Sequence, residues 1–237
     1  MKTVKLITLL YLFLVGIANA ADNQLNLEEK AQQWQLLFDG KDLAKNWKNF
    51  GQNSLSDKWK IENGSFGITE DAGDIITKQA YENFEFKIDW KISEKGNSGI
   101  FFRIDETGER VASHAMEVQI LDDKNFRDKK GDSAGPKHLT GSIYDLIAAK
   151  PGLFKGHGTW NTTHIIAIDN KVSSFLNGVL VAEIDKNSDE YTKVFLESKF
   201  SRNKKRAPLY AKVKKGPIGL QDHHSEVWFK NAKVRPL

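Results

Sequence analysis

Residues 84–92 read FEFKIDWKI, and an aromatic or aliphatic residue alternates with a charged one along the whole stretch. A period of two is the pattern of a β-strand that buries one face and exposes the other to water. A helix would scatter these apolar side chains around its axis, because its period is about 3.6 residues. The stretch therefore predicts a half-buried strand.

Shorter runs of the same kind recur along the chain. They lie at Lys58–Ile61, Asp74–Thr77, Ser98–Ile104, Ala115–Leu121, His164–Ile168, Val172–Leu176, Val179–Ile184, Ile218–Gln221 and Glu226–Val234. Turn-forming residues separate several of them, as at Asn63-Gly64 and Asn177-Gly178. Many short strands at this spacing predict an all-β fold, an antiparallel sandwich or jelly roll. Helices are expected only at Leu25–Trp34 and Asp189–Phe200.

Composition narrows the class of protein. The chain has 237 residues, of which 40% are hydrophobic and 28% charged, and the sequence shows neither a linker nor an internal repeat. With no cysteine, a disulfide scaffold, a thiol nucleophile and a lipid-modified N-terminal cysteine are excluded. The net charge of +4 is mild, so we expect no nucleic-acid partner. The basic stretch Lys199–Lys215 is interpreted as an exposed loop, because it lacks the interleaved aromatics of a single-strand binder.

The first twenty residues read as a secretory signal peptide. Lys2 and Lys5 precede the apolar run Leu6–Ile17, and Ala18-Asn19-Ala20 forms a cleavage site of small residues. The apolar run is shorter than the ~20 residues of a membrane span, and no other stretch could form one. We expect cleavage after Ala20 and a periplasmic or secreted protein. The predicted division is residues 1–20 signal peptide, 21–33 N-terminal segment and 34–237 a single domain.

Strand parity separates a chemical face from a core face. In three predicted strands the aliphatic residues share one side, and the opposite side carries Arg103, Glu117, Gln119, Gln221 and His223. Glu and His can transfer protons or bind a metal, whereas Arg and Gln can donate hydrogen bonds to sugar hydroxyls or an oxyanion. An ordinary solvated sheet face is the alternative, but such faces favour Lys, Glu and Thr.

Other motifs add one candidate and several exclusions. His138 lies in a polar, glycine-rich stretch and could reach over the sheet. Glu117 and Asp122 are five residues apart, so a regular strand would point them to opposite faces, which disfavours a paired-carboxylate glycosidase. The sequence has no H-E-x-x-H, G-x-S-x-G, P-loop or dinucleotide fingerprint, so we expect no nucleotide or organic cofactor.

Longer motifs resemble a known family. They include Phe38-Asp39-Gly40-Lys41-Asp42-Leu43, Asn97-Ser98-Gly99-Ile100-Phe101-Phe102-Arg103, Glu117-Val118-Gln119-Ile120-Leu121-Asp122 and Gly219-Leu220-Gln221-Asp222-His223. In this order they are similar to the 3-keto-disaccharide hydrolase domain family, also described as 3-keto-glucoside 1,2-lyase and 3-keto-2-hydroxy-glucal hydratase. The resemblance runs from Trp34 to Leu237. It departs from the family pattern at His224, where Gly is usual, and at Lys230, where Arg is usual.

The resemblance implies a fold, a substrate and a site. The fold would be a concanavalin-A-like jelly roll of two antiparallel sheets. The substrate would be a glycoside oxidised to a ketone at C3, made by a separate oxidoreductase and cleaved by elimination across C1–C2 and hydration. Glu117 or His138 would be the base, and His223 the acid or a metal ligand. Substrate contacts would come from Arg103, Gln119, Gln221, Asn97, Tyr144 and Trp160.

A metal ion and two other functions stay open at this point. A divalent metal on His223 and Glu117 is compatible with the resemblance, although local spacing does not demand one. The domain could instead be a lectin-like carbohydrate-binding module that uses Trp160 or Tyr144 as an aromatic platform. It could also be a conventional glycoside hydrolase that needs no ketone.

Overall fold

A computed structural model describes residues 21–237 of the chain, and the predicted signal peptide lies outside these residues. The described part forms thirteen strands and three short α-helices. The strands are β1 (Gln35–Leu36), β2 (Trp47–Asn49), β3 (Lys60–Glu62), β4 (Ser65–Ile68), β5 (Ile75–Thr77), β6 (Phe84–Ile92), β7 (Asn97–Phe102), β8 (Met116–Leu121), β9 (Asn161–Ile168), β10 (Lys171–Leu176), β11 (Val179–Asp185), β12 (Gly219–Leu220) and β13 (Val227–Pro236). The helices are α1 (Leu27–Ala31), α2 (Asp189–Glu197) and α3 (Lys199–Arg202).

The strands form two antiparallel sheets. The larger, eight-stranded sheet runs β11-β10-β9-β6-β13-β4-β3, with β1 also paired to β13. The smaller, five-stranded sheet runs β2-β5-β12-β7-β8. Neighbours such as β6 and β13 are far apart in sequence, as expected where chain crossovers build a jelly roll. The predicted all-β jelly-roll sandwich is confirmed.

One hydrophobic core fills the space between the sheets. The alternating residues of β6 enter it, and Phe86, Ile88 and Trp90 are fully buried. Ile100 of β7 and Val118 of β8 face them from the five-stranded sheet. Since side chains alternate along a strand, the residues that flank Ile100 in β7 and Val118 in β8 point away from the core. The outer face of the five-stranded sheet is therefore the surface to which parity assigned Glu117.

Some predicted elements are shorter than expected. The strand predicted to reach Ile104 ends at Phe102, because Arg103 has a φ of 51° and leaves the extended conformation. The helix predicted over Asp189–Phe200 divides at Ser198, which is extended and whose hydroxyl accepts a hydrogen bond from Phe200 N–H. The N-terminal helix is only α1, with a capping box at its start.

The connection between β11 and β12 carries α2 and α3 and borders the outer face of the five-stranded sheet. Tyr210, near its end, stacks on Phe200 with ring centroids 3.9 Å apart. Ala211 N–H donates to the His114 carbonyl at 2.6 Å, just before β8 begins. This connection therefore closes on the end of β8 that holds Glu117. Over residues 21–237, no helix has the length and apolarity needed to cross a bilayer.

Candidate active site on the five-stranded sheet

Glu117 is the buried acid on the outer face of the smaller sheet. It is the second residue of β8, between Met116 and Val118, which both enter the core. Its carboxyl group lies across the neighbouring strand over Gly99, where any side chain would collide with it. The glycine of the Asn97–Arg103 motif therefore makes room for the carboxyl group, and the side chain is only 6% exposed.

Burial changes the protonation of this carboxyl group. Desolvation raises the pKa of Glu117 to about 8, and the nearby carboxylate of Asp74 adds to the shift. The ammonium group of Lys199 acts in the opposite direction. At neutral pH the side chain is therefore largely protonated and can give a proton away.

Lys199 is a residue of the site that no motif in the sequence indicates. The division of the predicted helix at Ser198 places Lys199 at the start of α3, where its backbone N–H donates to Asp145 Oδ2 at 2.6 Å. Its Nζ lies 4.1 Å from the centre of the Tyr144 ring. Desolvation lowers the pKa of Lys199, and the carboxyl groups of Glu117 and Asp145 counteract this. In the sequence Lys199 is only the first residue of the basic stretch Lys199–Lys215.

A different loop, between β8 and β9, carries His138 and Tyr144 and is joined to Glu117. Tyr144 N–H donates to the Glu117 carbonyl at 2.9 Å, which joins its loop to β8. His138 stacks on Tyr144 with ring centroids 4.7 Å apart, and its Nε2 lies 2.9 Å from Asp145 Oδ1. Asp145 thus holds both an imidazole and the backbone of Lys199. Burial, together with the charges of Glu117 and Asp145, raises the pKa of Tyr144 to about 12, so it stays a neutral phenol.

The opposite rim of the face is built from the segment after β12. Gln221 N–H donates to the Gly99 carbonyl at 2.9 Å, which continues the sheet pairing one residue beyond β12. His223 follows at the exposed rim, where partial desolvation is the main cause of its lowered pKa. Desolvation also raises the pKa of Asp74 to about 6, and this carboxyl group accepts Asp222 N–H at 2.9 Å. In the sequence Asp74 begins a predicted strand, and no role in the site was assigned to it.

Gln119 and Asn97 lie beside each other on this face. Gln119 Nε2 donates to Asn97 Oδ1 at 2.9 Å, and Gln119 is only 2% exposed. The amide of Gln119 is therefore engaged within the protein and supports the site floor. Asn97 is the more accessible of the two.

The structure corrects the placement of Arg103. Its positive φ takes it out of the alternation of β7, so the parity argument fails for this residue. The guanidinium group ties separate loops together, donating from Nε to the Glu82 carbonyl at 2.8 Å and from Nη1 to the Asp169 carbonyl at 2.6 Å. Nη2 also donates to Asn83 Oδ1 at 3.4 Å. Arg103 thus acts as a buried structural anchor and does not join Glu117.

The structure also corrects the placement of Trp160. It directly precedes β9, which belongs to the eight-stranded sheet, and its ring lies on the outer side of that sheet. Lys91 Nζ and Lys230 Nζ lie 5.4 Å and 4.7 Å from the ring centre. Trp160 is therefore on the opposite side of the sandwich from Glu117 and contacts no substrate bound there.

The residues suggested as metal ligands do not form a recognisable donor set. Among residues 21–237, the one group of three with ligand atoms within 4.8 Å is Asp71, Asp222 and His224, all at the rim. Glu117 and His223 are outside it, and the cation whose charge acts on Glu117 is Lys199. His224 has a φ of 58°, which explains why glycine is usual at this position, and its ring pairs with Asp71. A metal on Glu117 and His223 stays a prediction.

The fold and this acid–base cluster define a jelly-roll sandwich with a candidate active site on the outer face of its smaller sheet. The chain belongs to the family of 3-keto-alpha-glucoside-1,2-lyase-like domains, whose profile matches residues 33–235. It is 32% identical to a 3-keto-disaccharide hydrolase of Bacteroides thetaiotaomicron, over 91% of this chain and 82% of the relative. The family resemblance seen in the sequence is thereby confirmed.

Two crystal structures of candidate glycosyl hydrolases from Parabacteroides distasonis are also similar. One is 30% identical with a TM-score of 0.84, covering 92% of this chain and 100% of the other. The second is 28% identical with a TM-score of 0.68, covering 86% of this chain and 100% of the other.

Proposed function

We propose that the chain is a carbohydrate hydrolase that cleaves 3-keto-glucosides by elimination across C1–C2 followed by hydration. The observation that carries the proposal is the carboxyl group of Glu117, buried over Gly99 on the outer face of the five-stranded sheet. Burial raises its pKa, and the positive charge of Lys199 counteracts that shift. Family membership and the name of the Bacteroides relative support the substrate class.

The reaction follows from the ketone at C3. The carbonyl group acidifies the proton on C2, and a base removes it to give an enediolate. The electron pair then forms the C1–C2 double bond while the C1–O bond breaks, and the leaving oxygen takes a proton. Addition of water across C1–C2 gives 3-keto-glucose. The route needs one base, one proton donor and a cation or hydrogen bonds for the developing oxyanion.

The described residues supply each of these roles. Glu117 is protonated at neutral pH and donates to the leaving oxygen. His138 is the base: Asp145 holds Nε2–H, so Nδ1 carries the lone pair that accepts the C2 proton. The Lys199 ammonium group stabilises the enediolate. Gln221 and His223 orient the sugar from the opposite rim.

The first test is turnover of a nitrophenyl 3-keto-glucoside in deuterated water. Elimination and hydration predict release of nitrophenol together with deuterium at C2 of the 3-keto-glucose. Release without deuterium at C2 would indicate direct displacement. A parallel assay with a chelator, and then with added divalent metal, tests the predicted metal ion. The absence of any turnover would refute the proposed substrate class.

A second candidate is direct hydrolysis by two carboxyl groups. Asp74 and Glu117 are both desolvated carboxyl groups of the five-stranded sheet, and the charge of Asp74 adds to the raised pKa of Glu117. Glu117 would then be the acid and Asp74 the base of a conventional glycoside hydrolase. This candidate predicts turnover of unoxidised nitrophenyl glucosides, which the elimination route excludes. No comparable observation favours a lectin-like module: of the two rings suggested as its platform, Trp160 lies on the other sheet and Tyr144 is stacked on His138.

The proposed chemistry also requires a supply of oxidised substrate. A glucoside carries a hydroxyl at C3, so an oxidoreductase must form the ketone before this chain can act. The predicted signal peptide supports export, so the proposal includes a reaction in the periplasm or outside the cell. N-terminal sequencing of the exported protein tests cleavage after Ala20.

A further inference from the structure

A basic finger stands at the Glu117 end of the site. We use this name for residues 200–210. Its first and last residues, Phe200 and Tyr210, stack on each other with ring centroids 3.9 Å apart, so the segment between them forms a closed loop. The residue before the finger, Lys199, is bound to Asp145 at 2.6 Å. The residue after it, Ala211, is bound to the carbonyl of His114, three residues before Glu117 in the chain. Both ends of the finger are thus fixed beside Glu117.

The finger carries unbalanced positive charge. Arg202, Lys204, Lys205 and Arg206 are all exposed, and the finger contains no acidic residue. Only Arg206 has an ion-pair partner within residues 21–237, at 3.5 Å from Glu109, whose side chain is 86% exposed. Residues 1–20 contain no Asp or Glu that could pair with the others. Three cations at the mouth of the site are therefore available to a ligand.

The proposed reaction places the leaving group next to this charge. Glu117 donates its proton to the oxygen that departs from C1, so the aglycone lies on the Glu117 side of the sugar ring. An aglycone that extends out of the site from there passes the finger. We propose that the basic finger binds an anionic group, a carboxylate or a sulfate, on the aglycone of the substrate. This inference rests on the proposed function, because it assumes that the 3-keto sugar reacts at Glu117.

A nucleic acid fits the finger less well than an anionic aglycone does. Single-stranded nucleic acids bind where exposed aromatic side chains stack on the bases. The two aromatic rings of the finger, Phe200 and Tyr210, stack on each other at its base instead. The finger can therefore bind a ligand only through charge. Charge is sufficient for a small anionic group on an aglycone whose sugar is already held in the site.

The test compares aryl 3-keto-glucosides that differ only in a remote substituent on the aglycone: neutral, carboxylate or sulfate, with matched phenol pKa. We expect kcat/KM to be about tenfold higher for the anionic substrates at low salt, mainly through KM, and the advantage to shrink as salt screens the charges. Carboxylate and sulfate are compared separately to tell the two groups apart.

A charge-reversal pair locates the effect. Lys204→Glu with Lys205→Glu is expected to abolish the anionic preference while turnover of the neutral substrate is unchanged. Lys30→Glu with Lys60→Glu changes the net charge equally, at exposed positions on α1 and β3 on the side of the eight-stranded sheet, and is expected to keep the preference. Circular dichroism confirms that both variants are folded.

Each outcome decides the inference. Turnover of the neutral substrate without any anionic preference would overturn the basic finger as an aglycone site and leave the proposed function intact. Equal loss of preference in both double variants would show an effect of net charge alone, and also overturn it. Binding of a DNA oligonucleotide that needs Lys204 and Lys205, without an aglycone preference, would assign the finger to a polyanion instead. Failure to turn over the neutral substrate would refute the proposed function, and this inference with it.

Discussion

Replacing Lys199 with methionine should change the pH profile of the enzyme in a direction that the structure determines. In the proposed reaction Glu117 must be protonated, so its ionisation sets the alkaline limb of kcat/KM, at a pH of about 8. The Lys199 ammonium group favours the ionised carboxylate and holds that pKa down. Removing the charge therefore raises the pKa of Glu117 further and moves the alkaline limb to higher pH.

The size of the shift follows from the position of Lys199. A neighbouring opposite charge shifts a carboxyl pKa by about 1–3 units. Lys199 is partly exposed, and solvent screens its charge, so we expect about one unit. The same variant should lower kcat by about 10²-fold, because the enediolate loses a stabilising cation.

The assay is initial-rate turnover of a nitrophenyl 3-keto-glucoside from pH 5 to pH 10. Lys199→Arg keeps the charge and should leave the limb near its original position. Lys193→Met removes an exposed lysine of α2 and is the matched control. An alkaline limb that stays in place in Lys199→Met, or that moves equally in Lys193→Met, would refute the proposed electrostatic role of Lys199.

Four further predictions follow from the site and its supports. Burial raises the pKa of Glu117 in the folded protein, so its contribution to the free energy of unfolding is full below about pH 4.5 and is lost as the pH rises through about 8. Glu117→Gln should remove this loss of stability with rising pH, as measured by denaturant titrations at several pH values. Gly99→Ala should cost about 1–3 kcal/mol in unfolding free energy and displace the carboxyl group, seen as a loss of kcat in the folded variant. Asp145→Asn should lower kcat by about 10–100-fold with little change in KM, since it disturbs the imidazole of His138; an unchanged kcat would argue against His138 as base. Arg103→Ala should lower the melting temperature, because three loop contacts are lost, while KM of the folded protein is unchanged; a raised KM at unchanged stability would restore Arg103 to the binding site.

Local pattern determined much of the architecture in advance. Alternation in β6 is a property of nine adjacent residues, and every apolar member of it is buried in the structure. The same alternation in β8 assigned Glu117 and Gln119 to the face opposite the core, as found. Parity works here because side chains of a regular strand must alternate, whatever lies next to the strand.

Parity failed where the backbone left the regular strand. Arg103 is one residue beyond the last residue of β7, and its left-handed conformation turns the guanidinium group toward other loops. Nothing in the local residue pattern marks that conformation. The same holds for Ser198, whose extended backbone divides a continuous helical pattern and delivers Lys199 to the site.

The sequence by itself determined an all-β sandwich, the family, and a set of polar residues on one face of particular strands. Only the tertiary structure decided which of these residues meet. The site is assembled from β8 and two separate connections, which supply Glu117, Asp145 and Lys199. Trp160 is distant from them because it precedes β9, which belongs to the other sheet. The raised pKa of Glu117 could not be predicted from the sequence either, since it depends on desolvation and on charges from segments far along the chain. Strand order and burial are non-local quantities, and a local pattern of residues does not contain them.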